Sequence, residues 1–395
     1  MQMKPRTWLF IFFGVIILFF VAPFLISFVW LTNFFENKSY DSIVKTQANR
    51  NAIYGTAFNQ NTFSYKLKLV NEIKPSVVAL GSSRVLQFRE EAFKASFANA
   101  GNAMNHLSEG ILFFRQMIKT HKPEFVILGL DFWWFNHNFS QPDYFPYHSN
   151  DGLQMTKKKI LLPYLYLIQG RIPLQMFYRF WDSKPYRNIY TNYDNLGFFA
   201  ARDSTGFRKD GSYFYSNTIF GIQKSDDRSF ADTISRIHDG NRRFQHGKQI
   251  SRERIELADD LINEILSNGI KLIIIVPPVA NQISAAMNSD DYLYLNEFIS
   301  YVLSVDAPVF NYHDLSVLTE DDCECIDGFH GGDVIYKRIL LDIYNSMSVP
   351  EFNAILNIED IRSDIQQFSG KVLTVNAGDN YLLSEIDFLE LDCDK

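Results

Sequence analysis

The sequence predicts an α/β fold: a three-layer sandwich around a central parallel sheet, preceded by one N-terminal transmembrane helix. Three observations carry this. Residues 7–35 contain no charged side chain. Short continuous apolar runs at 76–80, 125–130 and 271–276 have the composition of parallel strands buried on both faces. Between them lie stretches with helical spacing, and strands alternating with helices imply βαβ units with helices on both faces of the sheet.

Taken in order, Trp8 to Leu31 is almost wholly apolar, longer than the roughly 20 residues that cross a hydrocarbon core. A signal peptide has a shorter apolar region and small residues at its exit, whereas this run exits through Phe28-Val29-Trp30-Leu31. Lys4 and Arg6 precede it, which by the positive-inside rule leaves the N-terminus in the cytoplasm and the remainder outside. No second stretch is long enough to span. Residues 64–73 have helical spacing and stop at Pro75; then come a strand at 76–80, a helix over 85–96 and a strand at 97–101. A helix over 107–120 and a strand at 125–130 follow. An amphipathic helix at 251–268 ends at Gly269, a strand at 271–276 is closed by Pro277-Pro278, and 334–344 reads as a closing helix. Residues 132–250 break this rhythm. They are dense in Tyr, Phe, Trp, Asn and Gly, and are expected to form an insertion over the strand ends whose aromatics fill a secondary core rather than stack on sugars. The domain plan is thus an anchor at 1–35, an α/β domain at 36–348 and a C-terminal extension at 349–395, in which 371–385 reads as a strand-turn-strand hairpin.

Composition narrows the function classes. The chain has 395 residues and is 15% aromatic, which argues against disorder. Residues 1–255 hold 32 Lys+Arg against 19 Asp+Glu (+13), and 256–395 hold 6 against 26 (−20), together the net −7. No compact basic cluster of nucleic-acid type appears, so no nucleic-acid partner is expected, and the uneven charge reads as a solvated acidic face and a basic insertion that complement each other. Three cysteines, Cys323, Cys325 and Cys393, are too few for a disulfide scaffold and lack zinc spacing. One disulfide to Cys393 and free thiols both remain open. No metal or cofactor is expected.

Two fragments carry chemistry. Gly81-Ser82-Ser83-Arg84 follows the strand at 76–80, and the crevice beyond strand ends is where α/β sheets place ligands. Asp327-Gly328-Phe329-His330 sets a carboxylate three residues before an imidazole in a glycine-flanked loop. A serine hydroxyl needs a base, and the base needs an orienting group. Ser83, His330 and Asp327 supply all three. The competing reading of Asp327 is a helix N-cap, and the competing histidine is His313 beside Asp314.

These residues resemble the SGNH/GDSL hydrolases. Val78-Ala79-Leu80-Gly81-Ser82-Ser83 resembles their first block, with Ser83 as nucleophile and Ser82 where the family has Asp; Asp327-Gly328-Phe329-His330 matches the last block. The resemblance implies a flavodoxin-like sheet and an oxyanion donor near 97–104, with Gly101, Asn102 and Met104 as candidates. The third block normally offers Asn in Gly-x-Asn, but here Gly129-Leu130-Asp131 has Asp; the Ser83 N–H, Asn105 or Asn136 could complete the hole instead. Arg84, Asp131, Trp133 and Trp134 are the substrate-binding candidates. With its N-terminal span, the chain resembles membrane-anchored, extracytoplasmic members of the polysaccharide O-acetylation type. That implies an acyl-Ser83 intermediate, a bacterial inner-membrane location facing the periplasm or exterior, and a multi-pass acyltransferase as partner. Two other classes stay open: an inactive scaffold or carbohydrate-binding member, motivated by Asp131, and a docking subunit for a membrane enzyme.

Overall fold

The computed structural model describes residues 4–58, 61–140, 157–181, 186–187, 191–375 and 383–395. Among them the strands run β1 Ala52–Tyr54, β2 Val77–Gly81, β3 Phe97–Gly101, β4 Phe125–Gly129, β5 Tyr186–Arg187, β6 Asp194–Leu196, β7 Gly206–Phe207, β8 Tyr213–Phe214, β9 Lys271–Val276 and β10 Val309–Asn311.

The central sheet has the order β10-β9-β4-β2-β3 with every pairing parallel. Every residue of β2, β3 and β4 is buried, which requires cover on both faces and explains their unbroken apolar sequences. Helices Thr62–Ile73, Leu107–Met117 and Arg252–Ser267 pack in succession, and Asp333–Asn345, Pro350–Ala354 and Ile358–Phe368 form a separate group. Counted within this sheet the strand order is 2-1-3-4-5. The direction of winding reverses at β2, so a crevice is expected at its carboxyl end.

The N-terminal helix Pro5–Asn33 is 29 residues long and apolar enough to cross a membrane, with the sides of its first half uncovered by protein. Its end is tied firmly to the domain. Trp30 and Leu31 are buried in a cluster with Phe58, Met176 and Phe198. The Glu36 carboxylate accepts hydrogen bonds from Thr56 Oγ1 and the N–H groups of Ala57, Phe58 and Phe198.

The 132–250 region forms more than a cap. With β1 it builds a second sheet, β5-β6-β1-β7-β8, in which β1 runs parallel to β6 and antiparallel to β7. Two of the expected elements differ. Residues 85–96 contain only the tight turns Ser83–Val85 and Glu90–Ala92 in place of a helix. Asn99 accounts for this: its Nδ2 donates to the carbonyls of Val85 and Phe88, holding the segment as a loop against β3. Residues 371–375 form no strand, and the proposed turn at 376–380 lies outside the described residues. Instead Cys393 is bonded to Cys323, anchoring the tail. Cys325 is buried as a free thiol.

Candidate active site

Gly81 ends β2 because the chain must turn against the sheet there. A Cβ on Gly81 or on its neighbour Gly129 would approach Val85 Cγ1 to 2.9 and 2.4 Å. The tight turn that follows lifts Ser83 out of the buried strand, and Ser82 Oγ accepts the Arg84 N–H to close it.

Ser83 Oγ lies 2.9 Å from His330 Nε2, although 247 positions separate them. On the other edge of the imidazole, Nδ1 lies 2.9 and 3.0 Å from the two oxygens of Asp327. Asp327 Oδ1 also accepts the N–H groups of Phe329 and His330. The N-cap-like and triad-like roles therefore coexist in one carboxylate. Burial opposes the Asp327 charge, but His330 and those two N–H groups outweigh it and hold the carboxyl below its usual range. A carboxylate facing Nδ1–H leaves Nε2 as the acceptor toward the serine. His313 makes no such contact. Burial, with Arg84 nearby, pushes its imidazole down to about 3, and its ring packs on Phe132.

Arg84 and Asp131 are not open to a substrate. Both side chains are 1% exposed and pair through Nη1 and Oδ1 at 3.1 Å. Arg84 also donates to the Pro277 carbonyl, and its guanidinium stacks 4.8 Å from the Phe329 ring. One cation thus joins the ends of β2, β4 and β9 to the residue preceding His330. Burial pushes the Asp131 carboxyl up, and the adjacent Arg84 opposes this. Trp133 and Trp134 are likewise core residues, Trp134 Nε1 donating to the Asn105 carbonyl at 2.6 Å. Their aromatic signal came from packing.

The oxyanion candidates separate clearly. The Gly101 N–H is committed to Asn99 Oδ1 at 2.7 Å, and Met104 is fully buried against Gly110. Asn105 is bonded to Glu109 and Asn136 to the Gln245 carbonyl. Asn102 differs: it takes a left-handed φ of 63° and makes no hydrogen bond among the described residues. Such strain in a non-glycine residue costs roughly 1 kcal/mol and clusters at functional sites. Since Gly81 pairs with Gly101 in the β2–β3 register, Asn102 follows on the adjacent strand beside the Ser82-Ser83 turn.

Asn102 also lines a cavity of about 360 Å³. The rest of its described wall is Tyr54, Tyr65, Phe199, Phe207 and Tyr213 with Gly55, Thr56, Asn61 and Thr62, so it carries no charged side chain. The Tyr213 ring lies 4.6 Å from Tyr215, whose ring is 6.3 Å from His330.

Three contributors to the site escape sequence reasoning, and all come from the 132–250 region. Tyr215 borders His330. Asp227 accepts the Gly328 N–H at 2.8 Å and holds the histidine loop, together with Thr233. Arg243 stacks on Phe329 at 5.5 Å, within electrostatic reach of both Asp131 and Asp327. Only the Asp and Arg density of 226–243 hinted at Asp227 and Arg243, and the aromatic run at 211–215 at Tyr215. Among the described residues no group of His, Cys, Asp and Glu gathers as a metal site would. Compared with protein-family models, curated proteins and solved structures, the chain matches none.

Proposed function

We propose that this protein is a membrane-anchored serine acyltransferase or esterase, acting on acyl groups, chiefly O-acetyl, of an extracytoplasmic polysaccharide or envelope polymer. The observation that carries this reading is the continuous hydrogen-bonded relay from Ser83 Oγ through His330 to Asp327. The motifs that resemble SGNH/GDSL hydrolases are the ones that meet in it.

His330 Nε2 takes the Ser83 proton as Oγ attacks the acyl carbonyl. The tetrahedral oxyanion is held by the Ser83 N–H and the Asn102 amide. His330 then protonates the departing alcohol, leaving acyl-Ser83, and deprotonates the acceptor hydroxyl or water that releases it. Asp327 keeps Nδ1 protonated and stabilises the imidazolium. Asp131 raised the concern of a negative charge beside the oxyanion. Its pairing with buried Arg84 supports the catalytic reading over the inactive scaffold that Asp131 motivated.

The cavity beside Asn102 suits a neutral glycan, with aromatic faces for stacking and Asn and Thr side chains for hydroxyls. It lies at the lower end of the roughly 300–1,000 Å³ of small-molecule sites. The Cys323–Cys393 disulfide fits an oxidising compartment, in keeping with Lys4 and Arg6 on the cytoplasmic side of the span. Outside the cytoplasm there is no acyl-CoA, so a multi-pass membrane acyltransferase is the expected source of the acyl group.

The test is to trap the intermediate. Brief exposure of the full chain to 4-nitrophenyl acetate, then acid quench and peptide mapping, should find one acetyl group on Ser83 and none in Ser83→Ala. Acetyl on another residue, or none on wild type, would refute the mechanism.

A further inference from the structure

The segment 157–181 is the strangest surface of the molecule for a water-exposed domain. Helices Lys157–Ile168 and Leu174–Tyr178 expose Leu161, Leu165, Ile168, Leu174 and Tyr178, and Trp181 follows, with Ile168 82% exposed. The segment holds five Lys and Arg residues (157, 158, 159, 171, 179) and no Asp or Glu. Contiguous apolar surface of this kind marks an interaction site.

What covers it follows from where it sits. Helix Lys157–Ile168 packs along the Ala22–Asn33 part of the N-terminal helix. Tyr164 donates to the Pro23 carbonyl at 2.6 Å, and Ser27 Oγ donates to the Ile160 carbonyl. At 1.5 Å per residue, Pro23 lies about 22 Å along the axis from Trp8, within the roughly 30 Å of a hydrocarbon core. On the same stretch of the span Phe24, Leu25 and Phe28 are also exposed.

We infer that residues 157–181 form an amphipathic shelf seated in the membrane leaflet on the domain's side, its exposed apolar residues among acyl chains and its described basic residues, Lys159, Arg171 and Arg179, at anionic headgroups. The occupant is lipid rather than a second protein, because the helix Lys157–Ile168 packs on the span at Pro23 and Ser27 and so shares its depth. An interfacial element of this composition needs both buried apolar area and basic residues, and both are present. Shelf and span together fix the tilt of the domain, so that it cannot swing freely about a single helix. The inference rests on the N-terminal helix spanning a bilayer and is independent of the Ser83 chemistry.

Nitroxide labels at Ile168→Cys and, as a water-facing control, at Val317→Cys (61% exposed in wild type) test it in the full chain reconstituted alone into phosphatidylglycerol/phosphatidylethanolamine vesicles. Power-saturation spectroscopy should show residue 168 far more accessible to oxygen than to a water-soluble nickel chelate, and residue 317 the reverse. A third label at Phe10→Cys reports whether the span itself is inserted. If 10 is lipid-exposed while 168 behaves like 317, lipid does not cover the shelf and the inference fails.

Discussion

Ser83 and Arg84 are neighbours in sequence with opposite tasks: one hydroxyl meets His330, while the next side chain is locked beneath it. Burial likewise governs Glu109, in the helix Leu107–Met117 that follows β3. Its carboxylate is 1% exposed and accepts the Asn105 N–H at 2.7 Å. Burial pushes its pKa up to about 7, against the pull of the Asn105 hydrogen bonds. The native chain therefore holds this proton more tightly than the unfolded chain. Its contribution is present at low pH and is lost as pH rises from about 4.5 through about 7. Glu109→Gln keeps an acceptor without the charge. By chemical denaturation it should be more stable than wild type by about 3 kcal/mol at pH 8, the difference falling below about 1 kcal/mol at pH 5. An unchanged difference across that range would contradict the burial argument.

At the scale of elements, Arg84 is a strut. It links β2 to Asp131 beyond β4, to Pro277 beyond β9 and to Phe329 in the histidine loop. Removing one partner of a buried pair strands the other charge, at about 3–5 kcal/mol. Arg84→Met should therefore lower stability by that amount in urea titration, and adding Asp131→Leu should recover most of it. A double variant no more stable than the single one would mean that the guanidinium acts through its stacking instead. Much of this level was legible in the sequence. Continuous apolar runs located β2, β4 and β9, and the Gly-Ser-Ser and Asp-x-x-His fragments are local enough to read directly. Residues 85–96 misled because Val85, Leu86, Phe88, Ala92 and Phe93 imitate a helical stripe, whereas their backbone is fixed by a side chain, Asn99, in another strand. The strands of the second sheet are two or three residues long, too short for alternation to register. Trp133 and Trp134 could not be told from ligand-stacking residues, since composition does not reveal burial.

Across the whole molecule, three elements distant in sequence converge: the strand-end serine, the C-terminal histidine loop, and an intervening region that supports both. Asp227 holds the histidine loop from that region, and Tyr213 joins the cavity wall to Tyr215 beside His330. None of this convergence is written in any single segment, which is why Tyr215, Asp227 and Arg243 were not singled out in the sequence. Glu36 and the Trp30 cluster couple the same body rigidly to the apolar helix. In the proposed function this assembly makes Ser83 a nucleophile. The most direct measurement is labelling of the full chain with a fluorophosphonate probe, with the modified residue mapped by mass spectrometry. A single adduct on Ser83 is expected, strongly reduced in His330→Ala and absent in Ser83→Ala. A folded protein that takes up no probe, or takes it up equally without His330, would contradict it.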